Sequence, residues 1–217
     1  MRIEWHQSFN LRLNPGETFH ARSRYEPNGQ VGGVRLPHQP FASFLPRIVH
    51  GAWFLNRFDG PGEGNGIEFR ASESHSFVDC HLEDSETLVF GYERLVGFTG
   101  GVRLRSTFSM NLATVLLGGF MFNVASGPGR IVFEVTGKPD IYPAAPLVRS
   151  FPVSRLVAWS LDSVMQFEIK NGLLDYYFGS VQVKFAKTNG AIVDADDPAL
   201  SGDNSLGKTI RRIYSPI

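Results

Sequence analysis

One stretch of the sequence has the residue types and spacing of a phosphate-binding loop. Residues 202–209 read GDNSLGKT, which matches the pattern G-x-x-x-x-G-K-[ST]. That chemistry needs a buried strand before the loop and a helix after it, because backbone N–H groups and the helix N-terminus must face the phosphates. Here DADDPALS precedes the loop and IRRIYSPI follows it. We therefore predict no nucleotide binding at Gly202–Thr209.

The segment that contains this loop, residues 194–217, changes in character to acidic, then Ser/Gly/Asn-rich residues. Such a composition at a chain terminus is typical of a solvated tail, which is what we expect. The apolar side chains near its end, Ile213, Tyr214 and Ile217, leave a second interpretation open. In that interpretation the segment is an arm that docks on a neighbouring subunit.

A second group, Asp79, Cys80 and His81 with nearby His75, has side chains that bind metals or act as nucleophiles. Zinc sites usually need four ligands, and the chain has a single cysteine. A cysteine nucleophile needs a general base, but neighbouring residues on a strand point to opposite faces. We therefore predict a Cys80 that is buried or lies at a sheet edge, no metal, no cofactor and no catalytic residue, so the chain is not expected to be an enzyme.

Four arginines, Arg94, Arg103, Arg105 and Arg155, stand among apolar residues on predicted strands. A row of outward arginines could bind anions or RNA. The interpretation we favour is a solvated strand face that discourages pairing at a sheet edge. Lys and Arg number 21 and Asp and Glu number 21, so no net field gathers phosphate backbones, and nucleic acid is not the expected partner.

The N-terminal residues, MRIEWHQSFN, lack the apolar core of a signal peptide. The longest apolar stretch, Phe108–Val124, is interrupted by polar residues and glycines and is shorter than the roughly 20 residues of a membrane-spanning helix. We expect a soluble, cytoplasmic chain. Its 217 residues are within the range of one all-β domain, which we place at residues 1–193.

Period-2 alternation predicts β-strands in several places. Residues 181–185, VQVKF, place Val181, Val183 and Phe185 on one face and Gln182 and Lys184 on the other. The segments IVFEV (131–135) and VMQFEI (164–169) are rich in β-branched and aromatic residues and are bounded by turn-forming residues. The predicted fold class is therefore all-β.

The strand pattern repeats. The segment from Gly51 reads GAWFLNRFDGPG, and the segment from Gly118 reads GGFMFNVASGPG. A third copy from Gly179 reads GSVQVKFAKTNG, and RLVGFTGG from Arg94 returns as RLVAWSLD from Arg155, at the same spacing that separates the second copy from the third. Because Gly-Pro-Gly favours a tight reversal, we predict three hairpin-centred pseudo-repeats (10–75, 76–138 and 139–193) in a pseudo-threefold prism, barrel or jelly-roll-like body.

An apolar run precedes the opening glycine of each repeat: FASFLPRIVH (41–50), FSMNLATVLL (108–117) and NGLLDYYF (171–178). These runs are either ordinary core or apolar rims at one end of the molecule, used for self-association or membrane contact. The candidate interface residues in these rims are Phe44, Leu45, Ile48, Leu112, Val115, Leu116, Leu173, Leu174 and Tyr176.

Four segments, PGETFHA near Pro15, FLNRFDGPG, LVFGYERLVGFTGGVRL and GGFMFNVASGPGRIVFE, resemble the altered-inheritance-of-mitochondria protein 24 family of mitochondrial-biogenesis proteins and their bacterial relatives. The resemblance runs from about Leu11 to Val193. It implies a fold similar to that of the tryptophan RNA-binding attenuator protein, a short double-stranded β-helix or barrel-like sandwich that assembles into rings. It implies no active site.

These observations favour a non-enzymatic, self-associating β scaffold or binding module that forms a homo-oligomer. Two alternatives stay open. One is an adaptor that uses the apolar rims to contact a membrane surface or a protein partner. The other is a small-molecule-binding protein or enzyme with a pocket in the β body.

Overall fold

The computed structural model describes residues 1–11, 13–22, 34–35, 55–59, 67–70, 74–108, 121–142, 150–152, 155–168 and 182–193. In this part of the chain the regular structure is β-strand, apart from a short 3-10 helix at Tyr92–Arg94. The prediction of an all-β fold is confirmed.

The first six strands are β1 (Arg2–His6), β2 (Ser8–Leu11), β3 (Thr18–Arg22), β4 (Val34–Arg35), β5 (Leu55–Asp59) and β6 (Ile67–Arg70). The next six are β7 (His75–Leu82), β8 (Thr87–Phe90), β9 (Leu95–Thr99), β10 (Arg103–Phe108), β11 (Met121–Ser126) and β12 (Gly129–Thr136). The last six are β13 (Asp140–Tyr142), β14 (Phe151–Pro152), β15 (Leu156–Ser160), β16 (Val164–Glu168), β17 (Gln182–Lys187) and β18 (Ala191–Val193).

These strands form four sheets, in which the paired neighbours run antiparallel. The seven-stranded sheet has the order β1-β7-β12-β9-β3-β5-β4, and the six-stranded sheet has the order β10-β11-β8-β15-β18-β13. A three-stranded sheet, β14-β17-β16, and a two-stranded sheet, β2-β6, complete the arrangement.

The seven- and six-stranded sheets face each other across the first core. Val78 and Phe133 from the former and Phe90 and Ala125 from the latter belong to this one cluster of buried side chains. The rings of Phe90 and Phe133 lie 5.6 Å apart at an interplanar angle of 49°, a tilted geometry that aromatic pairs favour. Met1 packs against this cluster, and Ile192 near the other end of the described chain belongs to it.

The same two sheets are also buried on their other faces. Phe19, Phe58 and Val132 of the seven-stranded sheet pack with Leu11 of β2 in a second core. In a third core, Val89 and Trp159 of the six-stranded sheet pack with Val183 and Phe185 of β17. Strands with two buried faces explain near-continuous apolar segments such as residues 131–133, because adjacent residues serve different cores.

The order of strand pairing recurs along the chain. Strands β7–β12 form one set, which contributes the paired neighbours β7-β12-β9 to one sheet and β10-β11-β8 to another. Strands β13–β18 form a second set, with the paired neighbours β13-β18-β15 and β16-β17-β14. The order of pairing is the same in both sets. Strands β15, β16 and β17 follow β9, β10 and β11 at one constant spacing, which equals the separation of Arg94 from Arg155. The set before these two is β2–β6. In it, β2 pairs with β6, as β7 pairs with β12. Strand β5 lies between β3 and β4, as β11 lies between β8 and β10.

The prediction that Gly127-Pro128-Gly129 closes a hairpin between the strands on either side of it is wrong. Strand β11 pairs with β10 and β8 in the six-stranded sheet, whereas β12, which follows Gly127-Pro128-Gly129, pairs with β7 and β9 in the seven-stranded sheet. A Cβ on Gly127 would overlap the backbone carbonyl of Glu83, so glycine allows the corner to pass close to the turn before β8. The Gly-Pro-Gly residues do change the direction of the chain, as predicted. The strand that follows them joins the other sheet and does not pair with the strand before them.

No helix in the described ranges is long and apolar enough to cross a membrane.

The tight approach of β9 to β3 gives a first prediction. A Cβ on Gly97 would overlap the carbonyl oxygen of His20 and lie 2.7 Å from the ring of Phe19. We expect Gly97→Ala to lower the free energy of unfolding by about 1–3 kcal/mol, the usual effect of overpacking. Urea unfolding followed by circular dichroism measures it.

Gly16→Ala is the matched control, since Gly16 has φ of +82° but open space around its Cβ position. The loss in the free energy of unfolding caused by Gly16→Ala comes from the backbone conformation alone, and it should be about 1–2 kcal/mol. A Gly97→Ala protein as stable as the wild type would contradict the close packing of β9 against β3.

Candidate functional site

The densest group of ionisable side chains in the described chain lies on β1, β7 and β12, at one end of the seven-stranded sheet. The register sets Arg2, His81 and Arg130 opposite one another in one row across the three strands. The next row contains Glu4 and Asp79. Directly opposite residues share a face of the sheet, so these five side chains form one surface, which we call the Asp79 cluster.

Asp79 is the centre of this cluster, and its side chain is only 1% exposed. Arg130 donates to it through Nε at 3.2 Å and also through Nη2, and Nε2 of His81 lies 3.2 Å from Oδ2. The backbone N–H of Arg130 donates to Oγ1 of Thr99 at 2.9 Å, which fixes the strand that carries the guanidinium. A buried carboxylate is stable only with partners of this kind.

Asp79, Arg130 and His81 therefore form an ion-pair network around a buried carboxylate. His81 is its most accessible member, with a side chain that is 32% exposed. A carboxylate-oriented imidazole can move a proton. Its neighbour in the chain, Cys80, lies on the opposite face, in the first core with Val78 and Ile131. The Asp79–His81 pair therefore cannot serve Cys80 as a general base.

Of the two predicted positions for Cys80, the structure shows the buried one, and the thiol is free. Burial raises the pKa of Cys80 well above its usual value, and the nearby charge of Asp79 raises it further. The thiolate is the reactive form of cysteine, so both effects suppress nucleophilic chemistry at this position. In the described residues, no three His, Cys, Asp or Glu side chains gather as a metal ion would require.

The four arginines singled out in the sequence analysis, Arg94, Arg103, Arg105 and Arg155, do not form a row. Arg103 and Arg105 are exposed on β10, an edge strand of the six-stranded sheet, as expected of a solvated face. Arg94 lies in the 3-10 helix, with Nη1 3.5 Å from Oγ1 of Thr136. Arg155 lies 3.8 Å from Asp140 and is mostly buried.

Two features of this surface were missed by sequence reasoning. Arg130 is 51 positions from Asp79, and only the pairing of β12 with β7 brings them together. The second feature is the edge strand β1, where Trp5 is 38% exposed and the ammonium of Lys138 lies 5.6 Å from its ring centroid. An alternation of charged and apolar residues in RIEWH is the signal that could have identified this strand.

The nine candidate interface residues of the apolar runs, Phe44, Leu45, Ile48, Leu112, Val115, Leu116, Leu173, Leu174 and Tyr176, lie outside the described residues. The Gly202–Thr209 pattern and the whole segment 194–217 also lie outside them. The interface role of the apolar runs, the absence of nucleotide binding at Gly202–Thr209 and the tail or arm at 194–217 therefore stay predictions.

The layered antiparallel sheets define the class of protein, an all-β fold, and comparison with known proteins gives the family. The chain belongs to the mitochondrial biogenesis AIM24 family, whose pattern it matches over residues 5–191. The resemblance read from the four glycine-rich segments is therefore confirmed. No curated protein matches the sequence.

Among solved structures, the crystal structure of a protein from Streptococcus pyogenes is similar to this chain, with a TM-score of 0.55 and 12% sequence identity. The match covers 98% of this chain and 100% of the other. Likeness at this identity shows the fold alone.

The Asp79 cluster gives a second prediction. Asp79→Asn keeps the shape of the side chain but leaves the half-buried guanidinium of Arg130 without its carboxylate. We expect a loss of about 3 kcal/mol in the free energy of unfolding, measured by urea denaturation.

Asp59→Asn is the control, since Asp59 also pairs with an arginine, Arg57, at 2.6 Å but is 49% exposed. Its loss should stay below about 1 kcal/mol. Equal losses in the two variants would show that burial of Asp79 does not set the strength of its pairing.

The raised pKa of Cys80 gives a third prediction. Above the ordinary thiol pKa of about 8.5, the unfolded chain loses the Cys80 proton while the folded chain keeps it. The unfolded state then binds fewer protons, so the free energy of unfolding falls as the pH rises, by up to about 1.4 kcal/mol per pH unit from this group.

Urea unfolding of the wild type and of Cys80→Ala across the alkaline range measures this difference. The extra alkaline slope should be present in the wild type and absent in the variant. Identical slopes, or rapid reaction of the native protein with a thiol reagent, would contradict the burial of Cys80.

Proposed function

We propose that this chain is a non-enzymatic, self-associating β scaffold or binding module that acts in the cytoplasm as a homo-oligomer. The observation that carries the proposal is the openness of the two larger sheets. In the described part of the chain, no strand pairs with the outer edge of β1 or of β10. Backbone N–H and C=O groups at such an edge are a template for pairing with another chain.

The burial and the ion pairing of the ionisable side chains also support this proposal. The most buried carboxylate, Asp79, is held by Arg130 and His81, and the single thiol, Cys80, lies in the first core with a raised pKa. Catalytic groups are usually accessible and poised to exchange protons near neutral pH. These groups instead join strands to one another.

The finer description of the fold belongs to the same proposal. In it, three pseudo-repeats are arranged like the short double-stranded β-helix of the tryptophan RNA-binding attenuator protein. The last two contain six described strands each, β7–β12 and β13–β18, and the first contains five, β2–β6. The recurring order of strand pairing supports it, and so does the constant spacing of β15, β16 and β17 from β9, β10 and β11. Units of this kind bury their cores only when they stack, which favours assembly over isolated action.

The two alternatives are a membrane-surface adaptor and a small-molecule-binding protein or enzyme. The adaptor would use the three apolar runs, which lie outside the described residues. Sedimentation with vesicles of neutral and anionic lipids tests the adaptor, and a ligand screen followed by thermal shift tests the pocket.

The fourth prediction concerns assembly. Static light scattering of the purified protein should give a mass that is a multiple of 24.1 kDa and that rises or holds with concentration. A protein that remains a monomer at every concentration, and that captures no partner, would contradict the proposed function.

A further inference from the structure

We infer that the outer edge of β1 pairs antiparallel with the same edge of a second copy of this chain. This inference rests on the proposed self-association and identifies the surface that carries it. Among the described residues, β1 is the last strand of the seven-stranded sheet, and its five residues pair with β7 without a register shift. A regular strand without a bulge keeps its outer backbone groups aligned for another strand.

The two faces of β1 differ in a way that suits a second copy. Met1 and Ile3 are partly buried against the first core, and Trp5, on the same face, is exposed. The apolar row therefore continues to the sheet edge without full cover. A strand added beside it would extend the cover over this row, and Trp is a residue that often dominates the free energy of such contacts.

The charges on the other face of β1 are self-complementary. Arg2 and Glu4 are exposed and lie 3.2 Å apart, and Glu4 stands directly opposite the carboxylate of Asp79. In an antiparallel pair with Ile3 opposite Ile3 of the second copy, Arg2 of each copy faces Glu4 of the other. Opposite charges in directly opposed positions stabilise a pair of strands, and this register supplies two such pairs.

In the described residues, the end strand β10 of the six-stranded sheet has a different arrangement of charges. On β10, Arg103 and Arg105 are both exposed on one face, opposite Ser126 and Val124. Antiparallel pairing of two β10 edges centred on Arg103, Leu104 or Arg105 sets arginine against arginine. Like charges in opposed positions destabilise the pair, so the argument disfavours these three registers of β10, whereas the register of β1 centred on Ile3 opposes unlike charges.

Strand β1 has no counterpart among the described strands of the three recurring sets, so its edge can serve contact with a second copy. It precedes the three sets of paired strands and adds to β7, whereas β13, which holds the place of β7 in the last set, is the end strand of its sheet among the described residues. Five residues span roughly 17 Å of edge, so the contact is small. We expect a weak, concentration-dependent association.

The test uses charge reversal on the full chain. Arg2→Glu sets two acidic side chains opposite each other in both pairs, and Glu4→Arg sets two basic ones. Each single variant should weaken association on the order of tenfold in sedimentation equilibrium. The double variant Arg2→Glu/Glu4→Arg restores both opposed pairs and should return to the wild-type affinity.

Arg103→Glu is the matched control, the same change of charge on the edge of β10, and should leave association unchanged. Trp5→Ala should also weaken association by about tenfold or more. Far-ultraviolet circular dichroism and thermal unfolding confirm that each variant is folded.

The outcomes separate this inference from the proposed function. An oligomer whose mass and affinity are the same in all β1 variants overturns the inference and leaves the proposed function standing. Loss in the single variants without recovery in the double variant also overturns the register. A wild-type protein that stays monomeric overturns both.

Discussion

The structure depends on the burial of both faces of its two larger sheets. Along β12, Ile131 and Phe133 enter the first core while Val132 between them enters the second. Each sheet therefore cannot shift register without moving apolar side chains out of two cores at once. This constraint explains why so much of the chain is strand and why neighbouring residues are apolar together rather than in alternation.

The same constraint decides where charge can be placed. Asp79 lies on a face that also contributes Phe77 to the second core, and it is buried there while its two partners, Arg130 and His81, stay partly exposed. A lone carboxylate at that position would cost several kcal/mol, whereas a paired one joins β7 to β12. The reactive side chains of this region are thus part of how the sheet holds together. Where both faces of a strand are covered, contact with another chain is left to the edge of the sheet.

The sequence was most informative where one strand face could be read locally. The alternation in residues 181–185 predicted β17, in which Val183 and Phe185 are fully buried, and the opposite orientation of neighbouring residues predicted that Cys80 lies away from His81. Residues 131–135 were predicted as strand and form the middle of β12. These successes rest on the period of two that any strand imposes.

Features that depend on distant pairing could not be read in this way. Gly-Pro-Gly at 127–129 was interpreted as a hairpin turn, because turn residues report a change of direction and not which strand the next one pairs with. The contact of Arg130 with Asp79 follows from the register of β12 on β7, which no local pattern encodes. The exposure of Trp5 likewise depends on the position of β1 at the end of a sheet.

Amide hydrogen–deuterium exchange, followed by mass spectrometry, tests the central claim of two-sided burial most directly. The account predicts that the amides of β7 and β12 exchange slowest, through global unfolding alone, while those of β16, an edge strand with one side exposed, exchange earlier by local opening. If β7 and β12 exchanged as early as β16, the two sheets would not be buried on both faces, and the account would be wrong.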